Sequence, residues 1–123
     1  MQRRKRNDPY NISHLRFQLK EAFKRIRKKK LYARMNFLCC SSCASYDLST
    51  KLNNSNTKLG YAYWHSQDEE SLQTHGYLLV GYGAKVKKDH VKVGQMIVDT
   101  LEEMGIPHKW SGDSDERILV GKS

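Results

Sequence analysis

Gly60-Tyr-Ala-Tyr-Trp-His65, followed after the acidic turn Asp68-Glu69-Glu70 by Gly76-Tyr-Leu-Leu-Val-Gly-Tyr-Gly-Ala84, decides the fold. Tyr61 to Ser66 reads as a strand. Tyr61, Tyr63 and His65 share one face, and Ala62 and Trp64 the other. Ser66 or Gln67 is placed to cap a short helix. Asp68, Glu69 and Glu70 stand in its first turn, where negative charge is favoured. His75 and Gly76 end it. Tyr77-Leu78-Leu79-Val80 is an apolar run of the kind a central strand buried on both faces requires. Gly81-Tyr82-Gly83-Ala84 ends that strand. It lacks the third glycine and the immediate helix of a dinucleotide fingerprint, so its glycines read as close-approach and turn positions.

Outward from this stretch the pattern alternates. A helix is predicted from about Asn11 to Lys30. Ile12, Leu15, Leu19, Phe23 and Ile26 fall on one face, and Arg16, Lys20, Lys24 and Arg27 on another. Tyr32 to Cys40 reads as a strand. Ser41-Ser42 offers a cap for a helix carrying Ala44, Leu48 and Leu52. Asp89 is placed to cap a helix running to Met104, with Val93, Ile97, Leu101 and Met104 as its buried stripe. Ile106 to Trp110 and Arg117 to Val120 suggest a terminal hairpin. The fold class is therefore α/β: a single-domain sandwich, with helices on a mixed sheet of about five strands and a C-terminal β-hairpin. Residues 1–10 read as a basic disordered arm and 11–123 as the domain.

The chain has 123 residues, a net charge of +9 and three cysteines. No apolar run approaches the ~20 residues of a membrane span. No apolar segment follows the basic N-terminus as in a secretory signal. Clustered, odd-numbered cysteines argue against a disulfide framework and for a reducing, cytoplasmic setting. The charge is uneven. Residues 1–34 hold thirteen of the twenty-two Lys and Arg and two of the thirteen acids, giving +11; the remainder is nine minus eleven, or −2. A cationic front end on a near-neutral body suggests nucleic acid or an acidic protein as partner. Its expected contacts are Arg16, Lys20, Lys24, Arg27 and Lys28.

The chain resembles the family called domain of unknown function 6891. The matching residues are Phe37-Leu38-Cys39-Cys40-Ser-Ser-Cys43, Gly60 through His65 with Gln67-Asp68, Leu78 to Ala84, Gly94, Trp110-Ser111-Gly112-Asp113 and Arg117-Ile118. The likeness spans about Met35 to Val120 and leaves out the basic arm. It implies a small cytoplasmic α/β domain and no particular activity.

Several residues are candidates for chemistry. Cys40 and Cys43 have metal-ligand spacing, and His65 or Asp68 would complete part of a zinc site; closed zinc sites take four ligands. Cys40 also stands where a helix N-terminus lowers a thiol pKa, and Ile106-Pro107 resembles the proline loop of thioredoxins. The plain alternative is that these cysteines are buried packing residues. His65, Gln67 and Asp68 lie at a strand end, where α/β proteins place ligand crevices; Trp110 and Asp113 are expected to line the same crevice. His65 is the candidate general base and Asp68 its orienting carboxylate. Against that, His65 reads as a solvent-facing strand residue, with Gln67 and Asp68 as helix caps. The favoured function is a non-enzymatic binding module, a regulator or inhibitor of its partner. The alternative is a small metal-binding or thiol-dependent enzyme.

Overall fold

The computed structural model describes residues 12–38 and 41–121. The predicted arm and the cysteines at 39 and 40 lie outside the described residues. Helix α1 (Ile12–Arg27) buries Ile12, Leu15, Leu19, Ala22, Phe23 and Ile26, the face its spacing predicts. It ends three residues earlier than expected. Lys28 N donates to Arg25 O (3.1 Å) and Lys29 N to Ile26 O (2.9 Å), tightening the last turn. Lys30 then takes a left-handed φ of 68° and turns the chain into β1 (Leu31–Arg34).

Of the long strand expected over 32–40, the described residues keep only the part up to Arg34. Asn36 (φ 49°) and Leu38 (φ 61°) are left-handed, which breaks the alternation seen in the sequence. The segment still follows the neighbouring chain through Phe37 N to Trp64 O (2.8 Å) and Ser66 N to Leu38 O (3.0 Å). Asn is among the few residues that tolerate this conformation; a backbone change at these two positions is not visible to a hydrophobicity pattern.

Helix α2 (Ser41–Asn53) precedes β2 (Gly60–Tyr63), α3 (Ser66–His75) and β3 (Tyr77–Ala84). Helix α4 (His90–Glu103) follows a one-turn 3-10 segment at Lys87–Asp89. Strands β4 (His108–Lys109) and β5 (Ile118–Gly121) close the chain as an antiparallel pair. The sheet order is β1-β2-β3-β5-β4. Strands β1 and β2 are parallel and the other neighbours antiparallel. The protein is α/β, with helices packed on an open, mixed five-stranded sheet.

Strand β3 runs through the two glycines instead of ending at them. Its residues 81–84 pair with β2 and its residues 77–80 with β5, so one strand joins two half-sheets. The glycines are needed for close approach. A Cβ at Gly81 would stand 2.4 Å from the Tyr63 ring, and one at Gly83 2.4 Å from the Tyr61 ring. These two tyrosines lie across the bare backbone of β3.

The core has two parts. On one face, α1 and α4 meet Leu31, Ala33, Ala62, Trp64, Leu78, Val80, Ile118 and Val120. Phe23 meets Trp64 edge to face, with centroids 5.1 Å apart. On the other, Ala44, Leu48 and Leu52 of α2 cover Tyr61 and Tyr63. That second cover sits over β2. Leu79 and its pairing partner Leu119 are therefore half-buried, and Tyr77–Val80 is not enclosed on both faces as its apolar run suggests. Among the described residues no helix is long and apolar enough to cross a membrane.

Candidate functional site

His65 is neither a strand residue nor solvent-facing. It is 4% exposed and caps α3. Its Nδ1 accepts from Asp68 N at 3.3 Å, and its own backbone N donates to Asp68 Oδ2 at 3.2 Å. This reciprocal pair is a capping box with histidine in the place usually held by Ser or Thr. The cap assigned by sequence to Ser66 or Gln67 thus belongs one or two residues earlier, and Gln67 is exposed. Asp89 corrects in a similar way: it stands before α4 but makes no side-chain cap bond.

The same carboxylate serves a third residue. Arg117 Nη1 donates to Asp68 Oδ2 at 3.0 Å and lies 3.4 Å from His65 Nε2. Arg117 precedes Ile118, which pairs with Val80, so it lies beside Gly81. Its guanidinium reaches the start of α3. Because Nδ1 accepts a backbone N–H, the ring proton sits on Nε2, which is 3.1 Å from Asp68 Oδ2. Burial holds the His65 pKa below its ordinary value; Asp68 opposes the shift and Arg117 adds to it. A neutral imidazole suits the cap, since protonating Nδ1 would set it against the Asp68 N–H. Both side chains of the candidate acid–base pair are thus committed to holding α3 on the sheet. Arg117 was not singled out by spacing, because its partners are 52 and 49 residues away.

Trp110 and Asp113 belong to a different cluster. Trp110 packs on α4, where a Cβ at Gly94 would be 2.7 Å from its ring. Its Nε1 donates to Tyr82 Oη at 3.1 Å, and Tyr82 Oη lies 3.0 Å from the carbonyls of Asp113 and Glu116. Burial raises the Tyr82 pKa; Asp113, Asp115 and Glu116 push it further, and the Trp110 hydrogen bond opposes. Trp110 and Tyr82 flank the α1–α4 core, whereas the His65 ring neighbours Tyr63 at 6.4 Å on the α2 side. The His65 and Trp110 rings therefore lie against different core clusters, with Asp68 joined to His65 and the Asp113 carbonyl to Tyr82.

Cys43 is on α2 and exposed, which corrects its reading as a buried packing residue. Cys40 lies outside the described residues. Among the described residues no three His, Cys, Asp or Glu side chains converge as a metal site would require.

The basic face of α1 is laid out as its spacing predicts, but much of it is partnered. Arg16 pairs with Glu69 of α3. That carboxylate also accepts from Trp64 Nε1 (3.0 Å) and Gln73 Nε2 (3.2 Å). Lys24 lies 3.4 Å from Glu21, and Arg27 Nε donates to Ala33 O at 3.1 Å. Lys20 and Lys28 are exposed and make no ion pair among the described residues. A groove of about 520 Å³ runs between α1 and α3, lined by Arg16, Lys20, Asn36, Trp64, Glu69 and Gln73.

The profile of the family described as Domain of unknown function (DUF6891) matches residues 15–123. The chain belongs to this family. The DUF6891 match begins within the first turn of α1, earlier than the likeness seen from Met35 onward. It takes in the basic helix face, the His65–Asp68–Arg117 cluster and the Tyr82–Trp110 pair, and leaves out residues 1–14. Neither curated proteins nor solved structures yielded a match.

Proposed function

We propose that the protein is a non-enzymatic binding module that engages nucleic acid through its cationic surface. The observation that carries this reading is the docking of α1. Its apolar face is buried against the sheet, and an isolated helix of this length is marginal in water. The exposed cations of that helix are therefore held on a rigid support, opposite the core. Lys20, the partly engaged Lys24 and Arg27, and Lys28 just past the helix end are the candidate phosphate contacts; Arg16 is drawn toward Glu69. The basic residues 3–6 precede this helix in the chain and add to the same charge. Regulation of the bound partner is the role such a module would serve. Its clustered cysteines fit a cytoplasmic setting, and the reading needs no cofactor.

Phosphate contacts release counterions, so log affinity should fall linearly with log salt, by about 0.9 per contact on duplex DNA. Titration of the full chain with labelled single- and double-stranded nucleic acid over a salt series tests this. Binding with a steep slope supports the reading. Absence of binding at low salt contradicts it and leaves the surface to an acidic protein.

A further inference from the structure

The sequence places the positive charge at the front of the chain, but the fold adds lysines from the body to one end of the sheet. Leu59 N donates to Lys30 O (2.8 Å), and Lys85 N donates to Leu59 O (2.9 Å). These bonds extend the β1-β2-β3 ladder by one residue. Neighbouring strands are about 4.8 Å apart, so the Lys30 and Lys85 backbones stand roughly 10 Å apart with Leu59 between them. Residues 28–30, 58–60 and 85–88, which meet here, contain no acid. Lys28, Lys30, Lys87 and Lys88 are exposed and without an ion pair among the described residues. Lys58 lies over the Tyr32 ring (5.4 Å), and Lys85 reaches Ser55 O. Asp89 directly follows Lys88, and the packed helices α1 and α4 carry Glu21, Asp99, Glu102 and Glu103, of which Glu21 pairs with Lys24 and Glu103 lies 3.6 Å from Arg25.

A second observation is independent of charge. Lys30 holds a φ of 68°, a left-handed conformation that glycine adopts freely and lysine at a cost. A left-handed residue is an ordinary way to end a helix; here lysine stands where glycine would be less strained.

We propose that this sheet end is the surface that contacts nucleic acid phosphates, with Lys28, Lys30, Lys87 and Lys88 as the contacts. The proposal deepens the nucleic-acid reading above and rests on it. The three stretches contain no aromatic residue, and the neighbouring Tyr32 ring is half-buried with Lys58 over it (5.4 Å), so no open platform for stacking unpaired bases is offered. The ligand that fits is a duplex, held by its backbone with little sequence preference.

The test is fluorescence anisotropy of a short labelled DNA duplex with the full chain, over a salt series. The triple variant Lys30→Gln, Lys87→Gln, Lys88→Gln should lower the slope of log affinity against log salt by roughly three. Its affinity at moderate salt should fall by about tenfold or more. Lys30→Gly guards against an effect of misfolding. It should raise Tm by relieving the left-handed backbone and yet weaken binding, while Lys30→Arg keeps the affinity. Wild-type binding with an unchanged slope in the triple variant would overturn this surface and leave the nucleic-acid reading to α1 and residues 3–6. No binding by the wild type would overturn that reading itself. Binding of poly-glutamate more tightly than the duplex at equal charge would reassign the surface to acidic proteins and overturn the proposal.

Discussion

The two ends of strand β2 treat charge in opposite ways. Beyond Tyr63, every charged side chain drawn into the structure has a partner: Asp68 serves His65 and Arg117, and Glu69 serves Arg16, Trp64 and Gln73. Before Gly60, Lys30, Lys87 and Lys88 are exposed and make no ion pair among the described residues, with Asp89 adjacent in the chain. Charges of the first kind hold α1 and α3 on the sheet. Charges of the second kind face solvent and contribute little to folding; under the proposal above their use is outside the molecule. Net charge alone does not distinguish a cation held in the fold from one left in solvent and, under the proposal, open to a partner.

The largest expected effect lies at the partnered end. Asp68→Ala leaves Arg117 and the His65 N–H without their acceptor, and should cost about 2–4 kcal/mol in urea unfolding. Glu69→Ala removes the acceptor shared by Arg16, Trp64 and Gln73, and should cost about 1–2 kcal/mol. If either variant unfolds at the wild-type urea concentration, these charges are not structural and the comparison fails.

A pH experiment sharpens it further. The His65 pKa is lowered in the folded protein, so the unfolded chain binds more protons as the pH drops. The stability that the neutral ring contributes is complete above the unfolded value of ~6.5. It is lost as the pH falls from there through the folded value, by no more than about 1.4 kcal/mol per pH unit. His65→Asn, which retains a capping side chain, should flatten unfolding curves over that window. An unchanged pH dependence in this variant would show that His65 does not titrate with folding.

Smaller effects are expected at the lysine end. Lys30→Gly should stabilise by about 0.5–1 kcal/mol, because glycine carries no penalty at a left-handed φ. Lys87→Gln with Lys88→Gln should change stability by less than about 0.5 kcal/mol. A larger destabilisation would mean that these lysines are held by the fold.

How much of this was legible follows from the range of each interaction. The apolar faces of α1, α2 and α4 repeat locally and are buried as their spacing indicates, except that Met104 falls just past the end of α4 and is half-buried. The order of helices and strands, and with it the α/β class, came from the same signal. The end of β1 did not, because left-handed turns at Asn36 and Leu38 leave an alternating pattern intact. The cap at His65 was hidden because Ser66 is the commoner cap type and stands next to it. Arg117 and the lysine cluster were hidden for another reason. Both are assembled across the sheet by pairings such as Val80 with Ile118 and Gly60 with Ala84. Strand order is not written in any local period.

The most direct measurement compares two cations of similar sequence context. Duplex affinity at low salt should be determined side by side for Arg16→Gln, at the partnered end, and Lys30→Gln, at the open end. The account predicts wild-type affinity for Arg16→Gln and clearly weakened binding for Lys30→Gln. Loss of binding in Arg16→Gln with wild-type affinity in Lys30→Gln would contradict it.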